Sequence, residues 1–162
     1  MDNKDKIKAK ITDTLNKLAG FMSLECQIEF REENPSAGGE IGALFVSLYI
    51  SDNAKILIGK NGEALKALEH VLRLSMSKDE APSILLDIND YRKSRVNFLV
   101  DLAKEAVSRV RSTQKAEALV PMSSYERRVV HMELASCMDI STESIGEDPH
   151  RRVVVKPLAS SI

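Results

Sequence analysis

No tryptophan occurs among the 162 residues, and four phenylalanines and three tyrosines are the whole aromatic content. Ring stacking can therefore contribute little to whatever this chain binds. Cysteine is almost as scarce: Cys26 and Cys137 stand far apart and form no C-x-x-C pair. That spacing speaks against a disulfide or a Cys/His metal site and predicts reduced thiols packed in apolar-patterned stretches. Long hydrophobic runs are missing too, with nothing near the ~18 residues of a spanning helix. The opening Met1-Asp2-Asn3-Lys4-Asp5-Lys6 has no apolar centre of the kind a signal peptide needs. The expectation is a cytoplasmic protein with no membrane partner. Nor is there an excess of charge of either sign. Net charge is −1 with a pI near 6.3, and residues 1–80 carry 11 basic against 13 acidic side chains while 81–162 carry 12 against 11. Indiscriminate attraction to polyanions is excluded, and any such binding must be focused on local patches.

Signatures of catalysis are absent in the same way. The sequence has no H-E-x-x-H, no paired carboxylates at one locus and no Cys/His cluster. No catalytic residue, metal or cofactor is expected. A Walker loop is excluded as well, because Lys60 precedes the second glycine of its segment and no Ser or Thr follows.

What is present is Ile56-Leu57-Ile58-Gly59-Lys60-Asn61-Gly62, followed by apolar positions at Leu65, Leu68, Leu72 and Met76. The three-and-four spacing predicts a helix with one buried face, so the glycines sit at its N-terminus. Backbone N–H groups there lack intrahelical partners and the macrodipole is positive, while glycine lets a phosphate approach without a Cβ in the way. Gly59, Lys60, Asn61 and Gly62 are thus candidates to grip a sugar-phosphate backbone. A plain turn between two helices accounts for two glycines three apart equally well.

Around this stretch the period of the pattern changes several times. Lys6 to Leu18 carries Ile7, Ile11, Leu15 and Leu18 at helical spacing and ends at Gly20. Cys26, Ile28 and Phe30 alternate with polar residues as a strand does, Asn34 to Gly39 is turn chemistry, and Ala43 to Ser51 returns as a second strand, giving an antiparallel hairpin. Asp52 or Asn53 can cap a short helix, Ala54 to Ile58. After the glycine helix Pro82 breaks the chain, and Ser83 to Ile88 reads as a third strand. Lys66, His70 and Arg73 fall on one polar face of the glycine helix, which solvation alone would explain.

Asp90 can cap the next helix, whose stripe is Val96, Leu99, Ala103, Ala106 and Val110. Arg92, Lys93 and Arg95 crowd its first turns, where cations oppose the macrodipole. Ser112 to Lys115 is polar and marks a domain boundary. A strand signal at Ala118-Leu119-Val120 closes at Pro121, and Ser123 with Glu126 forms a capping box that starts a helix. On that helix Arg127 and His131 are four apart and share a face, beside a stripe of Val130, Leu134 and Met138. A histidine paired to Glu126 or Glu133 is the competing structural account. Asp139 to Ile145 and Arg151 to Lys156 form a second hairpin about a turn at Gly146 to Pro149.

The order helix, strand, strand, short helix, glycine loop, helix, strand resembles a KH domain of the bacterial type. The run Tyr125-Glu126-Arg127-Arg128-Val129-Val130-His131 resembles the domain named for Arg, three residues and His. Together they resemble the Jag family from about residue 20 to 157, a likeness extended by Asp90-Tyr91-Arg92 and by Arg151-Arg152-Val153-Val154-Val155. The resemblance implies an α+β fold: a type II KH domain of order αββααβ (residues 1–90), a long linking helix (91–112) and a small α/β Arg-x-x-x-His domain (113–158). It implies a non-enzymatic protein that binds single-stranded RNA, with single-stranded DNA as the alternative strand, in a cytoplasmic role tied to cell elongation, division or sporulation. A small protein of one KH domain is the implied protein partner. On this likeness Gly59 to Gly62 would hold the RNA backbone, with Ile58, Leu65, Lys66 and the strand around Leu86 lining the groove. Arg127 would offer a donor fork to phosphate and His131 an imidazole to phosphate or base. Arg128, Arg151, Arg152 and Arg92 are weaker candidates for a basic patch. Many family members carry a further N-terminal domain and charged linker that this sequence lacks, so what that domain recruits is not carried over. Two other classes stay open: an interaction scaffold whose apolar stripes dock partners, and a phosphodiesterase using His131.

Overall fold

The computed structural model describes residues 3–32, 44–76 and 83–158. The expected turn at Asn34 to Gly39 and the break at Pro82 lie outside them. The chain divides into two compact units, residues 1–92 and 93–162, and the architecture is mixed α+β with one three-stranded sheet in each.

In the first unit, helix α1 (Asn3–Phe21) precedes strands β1 (Cys26–Glu32) and β2 (Leu44–Ile50), the four-residue helix α2 (Lys55–Ile58), helix α3 (Glu63–Leu74) and strand β3 (Ile84–Ile88). The sheet order is β1-β2-β3, β1 antiparallel and β3 parallel to β2. Alternation does what it should in β2 and β3. Leu44, Val46, Leu48 and Ile50 are buried, as are Ile84, Leu86 and Ile88, and they meet Ile7, Ile11 and Leu15 of α1 and Leu65 and Leu72 of α3 in one core. Two capping expectations are corrected. The residue at the N-cap of α2 is Ala54, with no side-chain cap, because Asn53 adopts a left-handed φ of 59° and is turned away from that role. At the next helix it is Asp87, not Asp90, that accepts from the Arg92 N–H (3.2 Å), since Asn89 and Asp90 both take left-handed conformations at the turn.

In the second unit, helix α4 (Tyr91–Thr113, which begins at the last residues of the first unit) is followed by strand β4 (Glu117–Pro121), helix α5 (Ser124–Leu134) and strands β5 (Ile140–Ile145) and β6 (Arg152–Pro157). β6 lies between β4 and β5, antiparallel to both. The helix expected as a linker is not one. Leu99, Ala103, Ala106, Val107 and Val110 are buried with Leu119, Val130, Leu134, Val153 and Val155, so α4 supplies a wall of this core and the division falls at Arg92. The polar stretch 112–115 is merely the end of α4 and its turn into β4. Cys26 and Cys137 are free and half-buried at the margins of the two cores.

Candidate functional site

Between α2 and α3 the backbone reverses through one tight turn, Lys60–Gly62. Gly59 has φ 72° and ψ −179°, Asn61 φ 54° and Gly62 φ 79°. Left-handed backbone is open to glycine and tolerated by asparagine, which explains the residue types at all three positions. Packing adds a second constraint at the glycines. A Cβ on Gly59 would lie 2.7 Å from the Ala64 backbone nitrogen, and one on Gly62 would lie 2.8 Å from Tyr91 Cε1. Both glycines are therefore required by the chain's own packing. What the loop offers outward is Lys60, exposed at its tip, and the first turn of α3, whose N-terminus has no side-chain cap.

The expected groove lining separates. Lys66 is exposed and Ile58 half-buried, but Leu65 is 2% exposed and Leu86 fully buried. The latter two belong to the core and cannot serve as a wall, because they lie on the buried faces of α3 and β3. On the helical face around Lys66, His70 is exposed while Arg73 is paired to Glu69 at 2.8 Å. Arg92 is corrected as a basic-patch member: its Nη2 meets Glu69 Oε2 at 2.6 Å and its Nε donates to the Leu86 carbonyl at 2.9 Å. Sequence spacing gave no sign of Glu69, which is 23 residues from Arg92 and on another element.

In the second unit the capping box forms as expected. The Glu126 N–H donates to Ser123 Oγ (3.3 Å) and the Ser123 N–H to Glu126 Oε2 (2.7 Å). Glu126 also takes Arg95 at 3.2 Å rather than His131. The Arg–His pair expected beside the core is split between a half-buried His131 and a buried Arg127. Arg127 is buried, at 7% exposure, because it shares the stripe of Val130 and Leu134 at spacings of three and seven. Its Nη1 donates to the Met122 carbonyl at 2.8 Å and meets Asp148 Oδ1 at 3.5 Å. Met138, assigned to that stripe, lies beyond the end of α5 and is exposed. His131 is half-buried with Nδ1 2.7 Å from Thr142 Oγ1 and Nε2 2.8 Å from Ser144 Oγ on β5. One ring nitrogen donates and the other accepts, as a neutral imidazole can. Burial and the nearby Arg127 guanidinium both hold the His131 pKa below its ordinary 6.5. Glu133, the other proposed partner, pairs with Lys104 at 2.9 Å. Thr142, Ser144 and Asp148 were not singled out from sequence, since each becomes a neighbour only when the second hairpin folds back on α5, and the Met122 carbonyl is a backbone group just before α5 that no side-chain pattern marks.

Around this buried network the cations stay outside. Arg128 and Arg151 are exposed, and Arg152 is half-buried with its Nε donating to the His150 carbonyl (3.0 Å). Among the described residues no group of three or more His, Cys, Asp or Glu could hold a metal ion, and no helix is long and apolar enough to cross a membrane.

Comparison with known proteins finds a match over residues 97–157 to the domain family named for Arg, three residues and His, and the match takes in most of α4 along with the Arg127–His131 segment. The chain is 40% identical over 102 residues to the RNA-binding protein KhpB of Lactiplantibacillus plantarum, covering 62% of this chain and 32% of that protein. It is 37% identical over 106 residues to KhpB of Clostridium symbiosum (64% and 48%) and 33% identical over 108 residues to KhpB of Bacillus subtilis (64% and 52%). The matched segment thus spans from a third to about half the length of these relatives. With an Arg-x-x-x-His domain match in its second unit and relatives of this kind, the chain is similar to the Jag family.

Proposed function

We propose that this chain binds single-stranded RNA without catalysing a reaction on it, through the glycine loop of the first unit and the basic rim around α5 of the second. The observation that carries this reading is the α3 N-terminus: an uncapped helix end, positive in its dipole, presented by a left-handed loop with Lys60 exposed at the tip. The αββααβ order, with β1 antiparallel and β3 parallel to β2, supports identifying residues 1–92 as a KH domain of the bacterial type. That KhpB relatives are named RNA-binding proteins supports RNA as the strand. Gly59 and Gly62 shape the loop, and Lys60, Asn61 and the amides of α3 meet phosphate. In the second unit Arg127 and His131 hold the ridge together while Arg128, Arg151 and Arg152 face the strand. A cytoplasmic role in RNA stability or translation, linked to cell elongation, division or sporulation and shared with a single-KH partner, follows from the family likeness.

The test is Lys60→Asp combined with Asn61→Asp, which puts two carboxylates where phosphate would sit and keeps position 61 in a residue type that tolerates left-handed backbone. RNA affinity should fall at least tenfold with the circular dichroism spectrum unchanged. With about three phosphate contacts, log K against log salt should slope near −2. Unchanged affinity, or a flat salt dependence, would overturn the proposal in favour of a protein-docking scaffold.

A further inference from the structure

Among the described residues β3 is an edge strand, paired with β2 alone. Edge strands leave a row of backbone donors and acceptors open, which ordinarily invites another strand or a ligand edge. The Ser83 carbonyl and the Asn89 N–H bond to Leu44 and Leu48 of β2. By alternation Ile84, Leu86 and Ile88 turn their backbone groups the other way. On that outer side three of these groups are taken by side chains. The Leu86 N–H donates to Glu69 Oε2 at 3.0 Å, the Leu86 carbonyl accepts from Arg92 Nε at 2.9 Å, and the Ile88 N–H donates to Asp87 Oδ1 at 2.9 Å. Glu69 and Arg92 are paired to each other at 2.6 Å, and Arg73 holds the second Glu69 oxygen at 2.8 Å. Glu69 is only 13% exposed at its side chain. The neighbour of Arg92, Tyr91, is the residue whose ring packs against Gly62. The start of α4 therefore runs from the glycine loop to the outer edge of β3 at Leu86.

We infer that the Glu69–Arg92 pair makes strand recognition by this unit indifferent to base identity. Together the two side chains give Leu86 the acceptor and the donor that a base edge would otherwise give it. Both bonds involve an ion, and such bonds are about twice as strong as the neutral ones a base offers. A strand held at the loop cannot displace them, so contact stays with phosphate and sugar, and Glu69 sets specificity by exclusion. This rests on the reading of the glycine loop as the strand grip.

The experiment is amide NMR of the full chain titrated with short oligo(A), oligo(C) and oligo(U) RNA, alongside binding constants for each. Amides of Gly59 to Ala64 should shift with all three, the Leu86 amide should not move, and the dissociation constants should agree within about threefold. In Glu69→Ala the Leu86 amide should exchange with solvent at least about tenfold faster, and the spread among the three RNAs should widen to about tenfold, the scale of one good base contact. A Leu86 amide that shifts differently with each RNA in the unaltered protein would overturn the inference while leaving the loop reading intact. An unwidened spread in a folded Glu69→Ala would overturn it too. Loop amides that stay still with every RNA would sink the loop reading itself, and this inference with it; the titration of the unaltered protein decides even if the variant fails to fold.

Discussion

Replacing the glycines one at a time separates what the loop needs for folding from what it offers a ligand. Gly62→Ala forces an L-residue into φ 79°, which costs about 1–2 kcal/mol, offset by the roughly 0.4–1 kcal/mol gained from a stiffer unfolded chain. The new Cβ would stand 2.8 Å from Tyr91 Cε1, and overpacking of this kind adds about 1–3 kcal/mol. The net expectation is a loss of about 2 kcal/mol, or about 8–16 °C in Tm for a unit of this size. Gly59→Ala should cost more, near 3 kcal/mol or above, because its φ and ψ lie where almost only glycine goes and its Cβ would meet Ala64 backbone and side chain at 2.7 Å. Gly20→Ala is the internal control: it lies in α1 with nothing within 4 Å of its added Cβ, so helix propensity should stabilise the same unit by about 0.5–1 kcal/mol. Urea titrations followed by circular dichroism at 222 nm, fitted with a separate transition for each unit, give the three values. If Gly62→Ala came within about 0.5 kcal/mol of the parent, the range of an ordinary surface substitution, the close packing of Tyr91 on the loop would be wrong and the fold would have no need of these glycines.

Other expectations follow from the second unit. Ser123→Ala removes the acceptor of the Glu126 N–H and should cost about 1 kcal/mol, measured on the second transition. Arg127→Lys should destabilise that transition by about 2 kcal/mol, because a lysine cannot reproduce the buried guanidinium bond to Met122, whereas Arg128→Ala and Arg151→Ala should change stability by under about 0.5 kcal/mol and weaken RNA binding instead. The His131 pKa is lowered on folding, so the folded state binds this proton less readily than the unfolded one. Its contribution is fully present above the ordinary value of 6.5 and is lost as pH falls through that value toward the depressed one. Melting curves between pH 7.5 and 5.5 should show the second transition falling, and His131→Asn should flatten that slope. Glu117, Asp139 and Glu143, held low by Arg109, Arg111 and Lys156, lose their share only in the carboxylate range below, which keeps the two windows apart.

Periodicity made the elements legible because it is a local property. The apolar faces of α1, α3 and α4, the alternation of Cys26, Ile28 and Phe30 in β1 and the Ser123 cap all stand in the sequence at the residues where the structure has them. What could not be read depends on which elements meet. The α4 stripe announces a buried face but not whose core it enters, so the helix passed for a linker. Arg127 lies in phase with Val130 and Leu134, yet its charge argued for the surface; burial became tolerable only through the Met122 carbonyl and Asp148, contributed by the segments before α5 and before β6. Glu69 looked like one more charge on a solvated helix until Arg92 and the edge of β3 were brought to it.

Both motifs that drew attention in the sequence turn out to be occupied with the chain's own structure: the glycines with Ala64 and Tyr91, the Arg–His pair with Met122, Thr142 and Ser144. A motif defined by such residues fixes the shape of a surface, and the groups that face outward from it, Lys60 in one unit and Arg128 and Arg151 in the other, are few. A chain of net charge −1 that presents so few cations at each place can gain only a small number of phosphate contacts per site. On the proposed reading that limit keeps the affinity of each site modest and its salt slope shallow.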